Sequence, residues 1–299
     1  MTKFDLLMLS LLGMALASGL ALGQFTQPSS AATGTTESIE LSTPAAELQA
    51  ARANDILPDQ ATQKPHTAAY HPKPLPDFST YADVNQKKQA FFDYMLPKIR
   101  VSNDRIRSIR HELLGYRDQL RLGGHLDSAA SDRVAALASR YRVSRRQAVT
   151  AQLDELLIKV DVVPESLVLA QAANESGWGT SRFARQANNM FGVWCFSKGC
   201  GLEPLDRDEG LTHEVASYSS VQHSVDAYVH TINTHGAYRL LRQIRAESRA
   251  GEQHISGLAL AEGLEKYSAR GQEYVREIQQ LIRVNNLQRY NRAISGQAV

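Results

Sequence analysis

Helical periodicity covers nearly all of the chain after residue 81 and fails once, between residues 188 and 218. Apolar residues recur at steps of three and four on both sides of that interval, which is the spacing of an amphipathic helix. The interval carries glycine and proline punctuation and one short alternating piece, residues 212–218, which indicates a loop and a β-hairpin. We therefore predict a mainly α fold: a helical domain with a small β-hairpin lobe, preceded by additional helices.

Several helix boundaries can be placed from breaker and capping residues. A first apolar face is predicted to end at Pro97, because proline removes a helix hydrogen bond. A second helix is predicted to begin after Asn103 as its N-cap and to end at the Gly123-Gly124 pair. Further helices are predicted over residues 131–141, after residue 144, from residue 164, after Ser219 or Ser220, over residues 238–250 and after residue 271.

The first 77 residues indicate an exported protein. Lys3 gives a short charged start, residues 6–22 carry no charge, and small residues precede Gln24, as in a signal peptide. The uncharged run also has nearly the length of a membrane span, so residues 1–25 are predicted to be a signal peptide or a membrane anchor. Residues 26–77 are rich in Ser, Thr, Ala and Pro and are predicted to be a disordered linker. We expect a periplasmic protein, or one anchored in the inner membrane and facing the periplasm.

The chain has two cysteines, Cys195 and Cys200, in the segment CFSKGC. In an exported protein such a pair favours a disulfide that closes a tight loop. No nearby Cys or His completes a zinc set, so no metal site is predicted.

Basic residues are concentrated in the helical region that precedes residue 150. Residues 97–150 contain twelve Lys or Arg against five Asp or Glu, although the whole chain carries a formal charge of only +2. This balance favours approach to an anionic polymer or membrane surface, and a solvated helical face gives the same pattern. Aromatic residues are not interleaved with the basic ones, which argues against a nucleic-acid partner.

Three common chemistries are excluded by motif. The chain has no GxxxxGK[ST] phosphate loop and no GxGxxG segment after a strand. His213 and Glu214 resemble the start of HExxH, but Ser217 stands where the second histidine is required. No cofactor is therefore predicted.

One carboxylate stands out in the stretch PESLVLAQAANESGWGTSRFARQANNMFGVWCF, residues 164–196. Glu175 falls on the apolar stripe of the helix that begins at Pro164, in the last turn before Gly177. Burial and the negative end of the helix dipole both raise the pKa of such a carboxyl group. Glu175 is therefore a candidate general acid, and the alternative is a structural glutamate that bonds to backbone or to Arg182.

Aromatic and amide side chains follow Glu175 and suit a sugar-binding groove. Apolar faces are offered by Trp178, Phe183, Trp194 and Phe196, and amides by Asn188 and Asn189. Glycoside hydrolysis needs an acid and usually a second carboxylate or a substrate group on the opposite face. Spacing does not choose among the second-carboxylate candidates, which are Glu203, Asp206, Asp208, Glu209 and Glu214.

The segment AQAANESGWGTSRFARQANNMFGVW closely resembles the glucosaminidase domain of glycoside hydrolase family seventy-three, whose members are mannosyl-glycoprotein endo-β-N-acetylglucosaminidase-like. The flanking segments FSTYADVNQKKQAFFDYMLPKI, THEVASYSSVQHSVDAYVHTINTH and GLEKYSARGQEYVREI are similar to a Bax-type subset of that family. The resemblance implies a lysozyme-like fold with the glucosaminidase domain over residues 161–290 and a helical N-terminal region over residues 78–160. It also implies cleavage of β-1,4 bonds after N-acetylglucosamine in peptidoglycan, with glycan strands as partner.

The resemblance also implies roles for individual residues. Glu175 falls on the family's catalytic acid, and the stretch NNMFGVW falls on its NNLFGIK-like segment. Tyr267 and Tyr274 correspond to two tyrosines of the family's YATDPxY segment, with spacing one residue longer here. Counting back from Tyr218 favours Glu203 as second carboxylate, in a context that lacks the usual TTE. The predicted catalytic residues are Glu175, Glu203 and Tyr267, and the predicted substrate-binding residues are Trp178, Asn188, Asn189, Phe191, Trp194 and Tyr274.

Two other functions fit parts of the sequence. A lytic transglycosylase also has a lysozyme-like fold and a Glu-Ser pair, but NNMFGV replaces its GLMQ-type continuation. A non-catalytic wall-binding or scaffold protein would use the basic helices and only hold glycan in the groove.

Overall fold

The computed structural model describes residues 75–204 and 213–292. The predicted signal peptide or anchor, all of the predicted linker except its last three residues, and Asp206, Asp208 and Glu209 lie outside the described residues.

Nine α-helices and three short strands make up the described part of the chain. The helices are α1 (Val84–Arg121), α2 (Ser128–Arg140), α3 (Val149–Lys159), α4 (Glu165–Glu175), α5 (Arg182–Ala187), α6 (Val221–Thr234), α7 (Arg239–Ala250), α8 (Gly257–Leu260) and α9 (Gln272–Val284). The strands are β1 (Trp194–Cys195), β2 (Gly201–Leu202) and β3 (Glu214–Ala216). Short 3-10 turns lie at Phe78–Thr80, Gly236–Tyr238, Ala261–Leu264 and Leu287–Tyr290. The predicted lysozyme-like, mainly α fold with a small β-lobe is confirmed.

Helix α1 is longer than the sequence predicts, because Pro97 lies inside it and does not end it. Residues on both sides of Pro97, among them Phe91, Met95 and Ile99, are buried in one core. Proline removes a backbone donor from the helix, and the buried Lys98 ammonium donates to the carbonyl of Tyr94 at 3.0 Å. The burial of apolar residues on both sides of Pro97 outweighs the cost of an internal proline.

Asn103 is not an N-cap, since it lies in the middle of α1 and is fully buried. Its side-chain amide donates to the carbonyl of Val163 at 2.9 Å and accepts from the Val163 N–H at 3.1 Å. A buried polar side chain needs such partners. Asn103 thereby ties α1 to the residues that lead into α4.

The β-lobe is a three-stranded antiparallel sheet in the order β1-β3-β2. Trp194 pairs with Val215, and Gly201 pairs with Ala216. Strands β2 and β3 form the predicted hairpin, and β1 adds a strand on the other side of β3. Gly201 permits this pairing, because a Cβ there would stand 1.9 Å from the carbonyl oxygen of Val215.

Helix α4 is the centre of the fold and is buried along nearly its whole length. Helices α1 and α9 and the turn Leu287–Tyr290 pack against it. One hydrophobic core runs from Phe78 to Leu287 and includes residues on both sides of residue 160. The residues at the end of α4 are therefore held by a helix that is almost fully buried.

No helix within residues 75–204 and 213–292 has the length and hydropathy needed to cross a membrane.

Candidate active site

Glu175 is the last residue of α4 and is half-buried, so its carboxyl group reaches the surface at the end of a buried helix. The chain reverses directly after it: the Trp178 N–H donates to the carbonyl of Ala173 at 2.9 Å, and Gly177 has a φ of +57°. Glycine adopts this left-handed conformation without strain. The sharp turn ends α4 at Glu175, whose side chain is therefore neither fully buried nor fully exposed.

The surroundings of Glu175 favour its neutral form. Burial raises the pKa of Glu175 to about 7, against an ordinary value of 4.5, and nearby Glu277 adds to the rise. Hydrogen bonds from Tyr274 and Asn174 and the charge of Arg270 act in the opposite direction on that pKa, and burial outweighs them. About half of the molecules therefore carry a protonated Glu175 at neutral pH, as a general acid requires.

Two stacked tyrosines lie behind Glu175. The rings of Tyr267 and Tyr274 are 5.3 Å apart and nearly parallel, and both residues are buried. The Tyr274 hydroxyl donates to Oε1 of Glu175 at 2.7 Å, whereas the Tyr267 hydroxyl donates to the carbonyl of Phe191 at 2.8 Å. The structure therefore brings Tyr274 to the acid and Tyr267 to the loop beside it; their predicted roles in substrate binding and catalysis stay predictions.

The loop Met190–Val193 passes directly over the Glu175 carboxyl group. Gly192 has a φ of +63°, and a Cβ at that position would stand 3.3 Å from Oε2 of Glu175. Phe191 is buried, and its ring stacks on Tyr228 at 4.1 Å. Glycine is required at position 192 both by the backbone conformation and by the closeness of the acid.

The two asparagines use their amides within the protein. Asn189 is buried; its amide donates to the carbonyls of Val193 and Ala216, both at 2.8 Å, and its oxygen accepts the Phe191 and Val193 N–H groups. Asn188 adopts a left-handed conformation that ends α5 and donates to the carbonyl of Tyr218 at 2.9 Å. Both residues hold the loop against the β-lobe, and direct contact with substrate stays a prediction.

Trp178 lies on the turn after Glu175 and packs against α1. Its ring is 5.7 Å from the ring of Phe91 and 5.5 Å from that of Phe92, and the Lys88 ammonium lies 5.1 Å from its centroid. Trp178 is half-buried, so part of it remains open to solvent. The predicted contact of Trp178 with substrate is not tested by this packing.

The predicted disulfide is present, and it shapes the β-lobe. Cys195 and Cys200 are bonded, and the loop between them is fixed by Glu214, whose carboxylate accepts the N–H groups of Gly199 at 2.9 Å and Gly201 at 2.8 Å. Glu214 and the two sulfur atoms lie close together, but the sulfurs are consumed by the disulfide.

The two remaining predicted residues of the β-lobe lie on its accessible surface. Trp194 is half-buried and stacks on the His213 ring at 4.3 Å. Glu203 is exposed just after β2, where its carbonyl accepts a hydrogen bond from Arg182 at 2.7 Å. Their predicted roles, contact with glycan for Trp194 and catalysis for Glu203, stay predictions.

Comparison with known proteins identifies the family of this chain. Residues 150–287 match the family model described as mannosyl-glycoprotein endo-beta-N-acetylglucosaminidase. Protein bax of Escherichia coli (strain K12) is 36% identical over 202 residues, which cover 67% of this chain and 70% of that protein. The chain belongs to the glucosaminidase family. None of the solved structures matches it.

Two polar residues of this glucosaminidase domain escaped the sequence-based site prediction. Gln171 donates to the Tyr274 hydroxyl at 2.9 Å, and Tyr228 donates to Gln171. A signal for Gln171 existed, because it is a polar residue on the apolar stripe one turn before Glu175. Tyr228 gave no such signal, since a tyrosine on an amphipathic stripe is indistinguishable from core.

Replacing Gly192 with alanine is expected to impair the glucosaminidase site more than the fold. The new Cβ would crowd Oε2 of Glu175 at 3.3 Å, so we expect a roughly tenfold or larger fall in kcat/KM on peptidoglycan, since small displacements of reacting groups are costly. Gly123→Ala is the matched control, because Gly123 has a similar φ of +80° and no neighbour within 4 Å of the new Cβ. Equal activity of the two variants would contradict the assignment of Gly192 to the site.

Proposed function

We propose that the chain is an endo-β-N-acetylglucosaminidase that cleaves β-1,4 glycosidic bonds after N-acetylglucosamine in peptidoglycan. The observation that carries the proposal is a half-buried carboxyl group, Glu175, whose pKa is raised to about 7 by burial and whose Oε2 lies beside Gly192. Family membership supplies the substrate class. The exported compartment expected from residues 1–25 is where such a substrate lies, and we propose a periplasmic location with or without an inner-membrane anchor.

In the proposed reaction, Glu175 gives its proton to the leaving glycosidic oxygen. The bond between that oxygen and the anomeric carbon breaks, and water forms the new bond to the oxocarbenium-like centre. The water either attacks from the opposite face and loses a proton to a carboxylate there, or replaces the substrate's N-acetyl oxygen after that oxygen has attacked, and then loses its proton to ionised Glu175. Either of two groups assists there: a carboxylate of the β-lobe, with Glu203 first among the candidates, or the N-acetyl group of the substrate. Glu203→Gln tests the first candidate, because a loss close to that of a Glu175 variant assigns the role to Glu203.

Product analysis tests the proposed reaction directly. Purified sacculi are digested with the wild-type protein, reduced with borohydride and analysed by mass spectrometry; we expect new glycan ends that carry reduced N-acetylglucosamine. Anhydro-muramyl ends would instead identify a lytic transglycosylase. Binding to sacculi without release of fragments would identify a wall-binding scaffold.

A further inference from the structure

Three buried polar side chains from three helices form one line that ends on the acid. They are Tyr228 of α6, Gln171 of α4 and Tyr274 of α9, with exposed fractions of 1%, 0% and 2%. The Tyr228 hydroxyl donates to the Gln171 carbonyl oxygen, the Gln171 amide donates to the Tyr274 hydroxyl at 2.9 Å, and the Tyr274 hydroxyl donates to Oε1 of Glu175 at 2.7 Å. All donors in this line therefore point towards Glu175.

The direction of the line depends on its most distant member. A phenol has one proton to donate, whereas an amide donates only from its nitrogen and accepts only at its oxygen. Tyr228 fixes the amide of Gln171, because a reversed amide would take from the buried Tyr228 hydroxyl the acceptor that the structure gives it, the Gln171 oxygen. If the amide were reversed, its oxygen would face Tyr274 and would compete with Glu175 for the Tyr274 proton. Tyr228 therefore determines where that proton goes without touching Glu175.

The direction of the line makes the two carboxyl oxygens of Glu175 different from each other. Oε1 is held as an acceptor by Tyr274, while Oε2 is the oxygen beside Gly192. We infer that Tyr228 and Gln171 are positioning residues, which fix the direction of this hydrogen-bonded line so that neutral Glu175 carries its proton on Oε2. The inference rests on the proposed general-acid role for its catalytic meaning, but the arrangement of protons can be measured independently of activity.

The line also adjusts the acidity of Glu175. The hydrogen bond from Tyr274 lowers the pKa of Glu175, so losing it must raise that pKa further. The other groups that affect the pKa of Glu175 are Asn174, Glu277 and Arg270, and the charge of Glu175 in turn affects the buried hydroxyls of Tyr228, Tyr238 and Tyr267. Of these groups, only Tyr228 is joined to Glu175 through Gln171 and Tyr274.

The test is Tyr228→Phe compared with Tyr238→Phe. Tyr228→Phe keeps the ring that stacks on Phe191 and removes only the donor that fixes Gln171. Tyr238 is equally buried but its hydroxyl makes no hydrogen bond within the described residues, so its variant is the matched control. Glu175 is titrated by carboxyl 13C NMR, with the signal assigned by its loss in Glu175→Gln, and kcat/KM on sacculi is measured across pH.

We expect Tyr228→Phe to move the Glu175 titration and the alkaline limb of kcat/KM to higher pH. We also expect kcat/KM at pH 6 to fall roughly tenfold, the size of one hydrogen bond's contribution. Gln171→Met, which removes the donor that polarises Tyr274, should move the titration in the same direction. Tyr238→Phe should titrate like the wild type.

Coincident titrations for Tyr228→Phe, Gln171→Met and the wild type would overturn the inference. If the titration responds but wild-type protein releases no glycan, the proposed function fails and the positioning roles stand. If glycan is released in a Glu175-dependent way but the titration does not respond, only the positioning roles fail.

Discussion

Glu175→Gln is expected to reduce glycan release from sacculi by roughly 100-fold or more at pH 6, the range in which a positioned general acid contributes. Glutamine keeps the size of the side chain and can still accept the hydrogen bond from Tyr274, but it has no proton to give to a leaving oxygen. In the wild type, kcat/KM should fall as the pH rises through about 7, because the pKa of Glu175 is raised by burial to that value and only the protonated form is active. The variant's residual activity should lack that alkaline limb.

Stability measurements distinguish this loss from unfolding. The folded-state pKa of Glu175 lies above its ordinary value of 4.5 because of burial, so the folded state binds more protons between the two values. The raised pKa therefore adds to the free energy of unfolding below pH 4.5, where Glu175 is neutral in both states. This contribution is lost as the pH rises through about 7, because the folded protein must then hold an ionised, half-buried carboxylate. Glu175→Gln should be at least as stable as the wild type at pH 8. Wild-type rates of glycan release by a folded variant would refute the general-acid role.

Arg245→Met is expected to lower the free energy of unfolding by about 3–5 kcal/mol, the usual cost of removing one member of a buried charged network. Arg245 is fully buried at 0% exposure. Its guanidinium donates to the carbonyls of Ile158 and Lys159 at the end of α3, to those of Asp161 and Val162 between α3 and α4, and to the side chain of Asn233. Methionine fills the volume but leaves these acceptors without their donor.

The change in stability should be measured by chemical denaturation at pH 7. Burial lowers the pKa of Arg245 to about 10, so the side chain is charged at that pH. Arg239→Met on the same helix is the control, because Arg239 is exposed and its replacement should alter stability by less than about 0.5 kcal/mol. Similar unfolding curves for the two variants would show that Arg245 does not secure the connection into α4.

Periodicity predicted the helical class and most helix ends, because amphipathic stripes and caps are local signals. Ser220 caps α6 as predicted, and α1 ends just before Gly123. The predictions that a helix ends at Pro97 and that Asn103 is an N-cap were wrong for the same reason. In both cases contacts with residues distant in the sequence outweigh the local preference of the residue type. Asn103 forms hydrogen bonds with Val163, sixty residues away, and the sequence around Asn103 does not predict that contact.

The site was predictable where a single helix carries the information. The position of Glu175 at the end of an apolar stripe predicted a raised pKa, and burial produces that rise. The line from Tyr228 to Glu175 was not predictable, because it joins three helices and depends on the direction of each hydrogen bond. Residue type alone also did not predict the backbone partners of Asn189, whose buried amide donates to the carbonyls of Val193 and Ala216.

The packing of α1 affects which part of the chain must fold before the turn after Glu175 is stable. Helix α1 lies before residue 150, where the match to the glucosaminidase family begins, yet its Phe91 and Phe92 support Trp178. Gly179 is in contact with the Phe78 ring, and a Cβ there would stand 2.6 Å from it. The turn that orients Glu175 is thus completed by a segment that precedes the family match. The start of the family match is therefore not the start of the folding unit, and a chain that begins at residue 150 would carry every proposed reacting group without the support that holds the Glu175 turn in place.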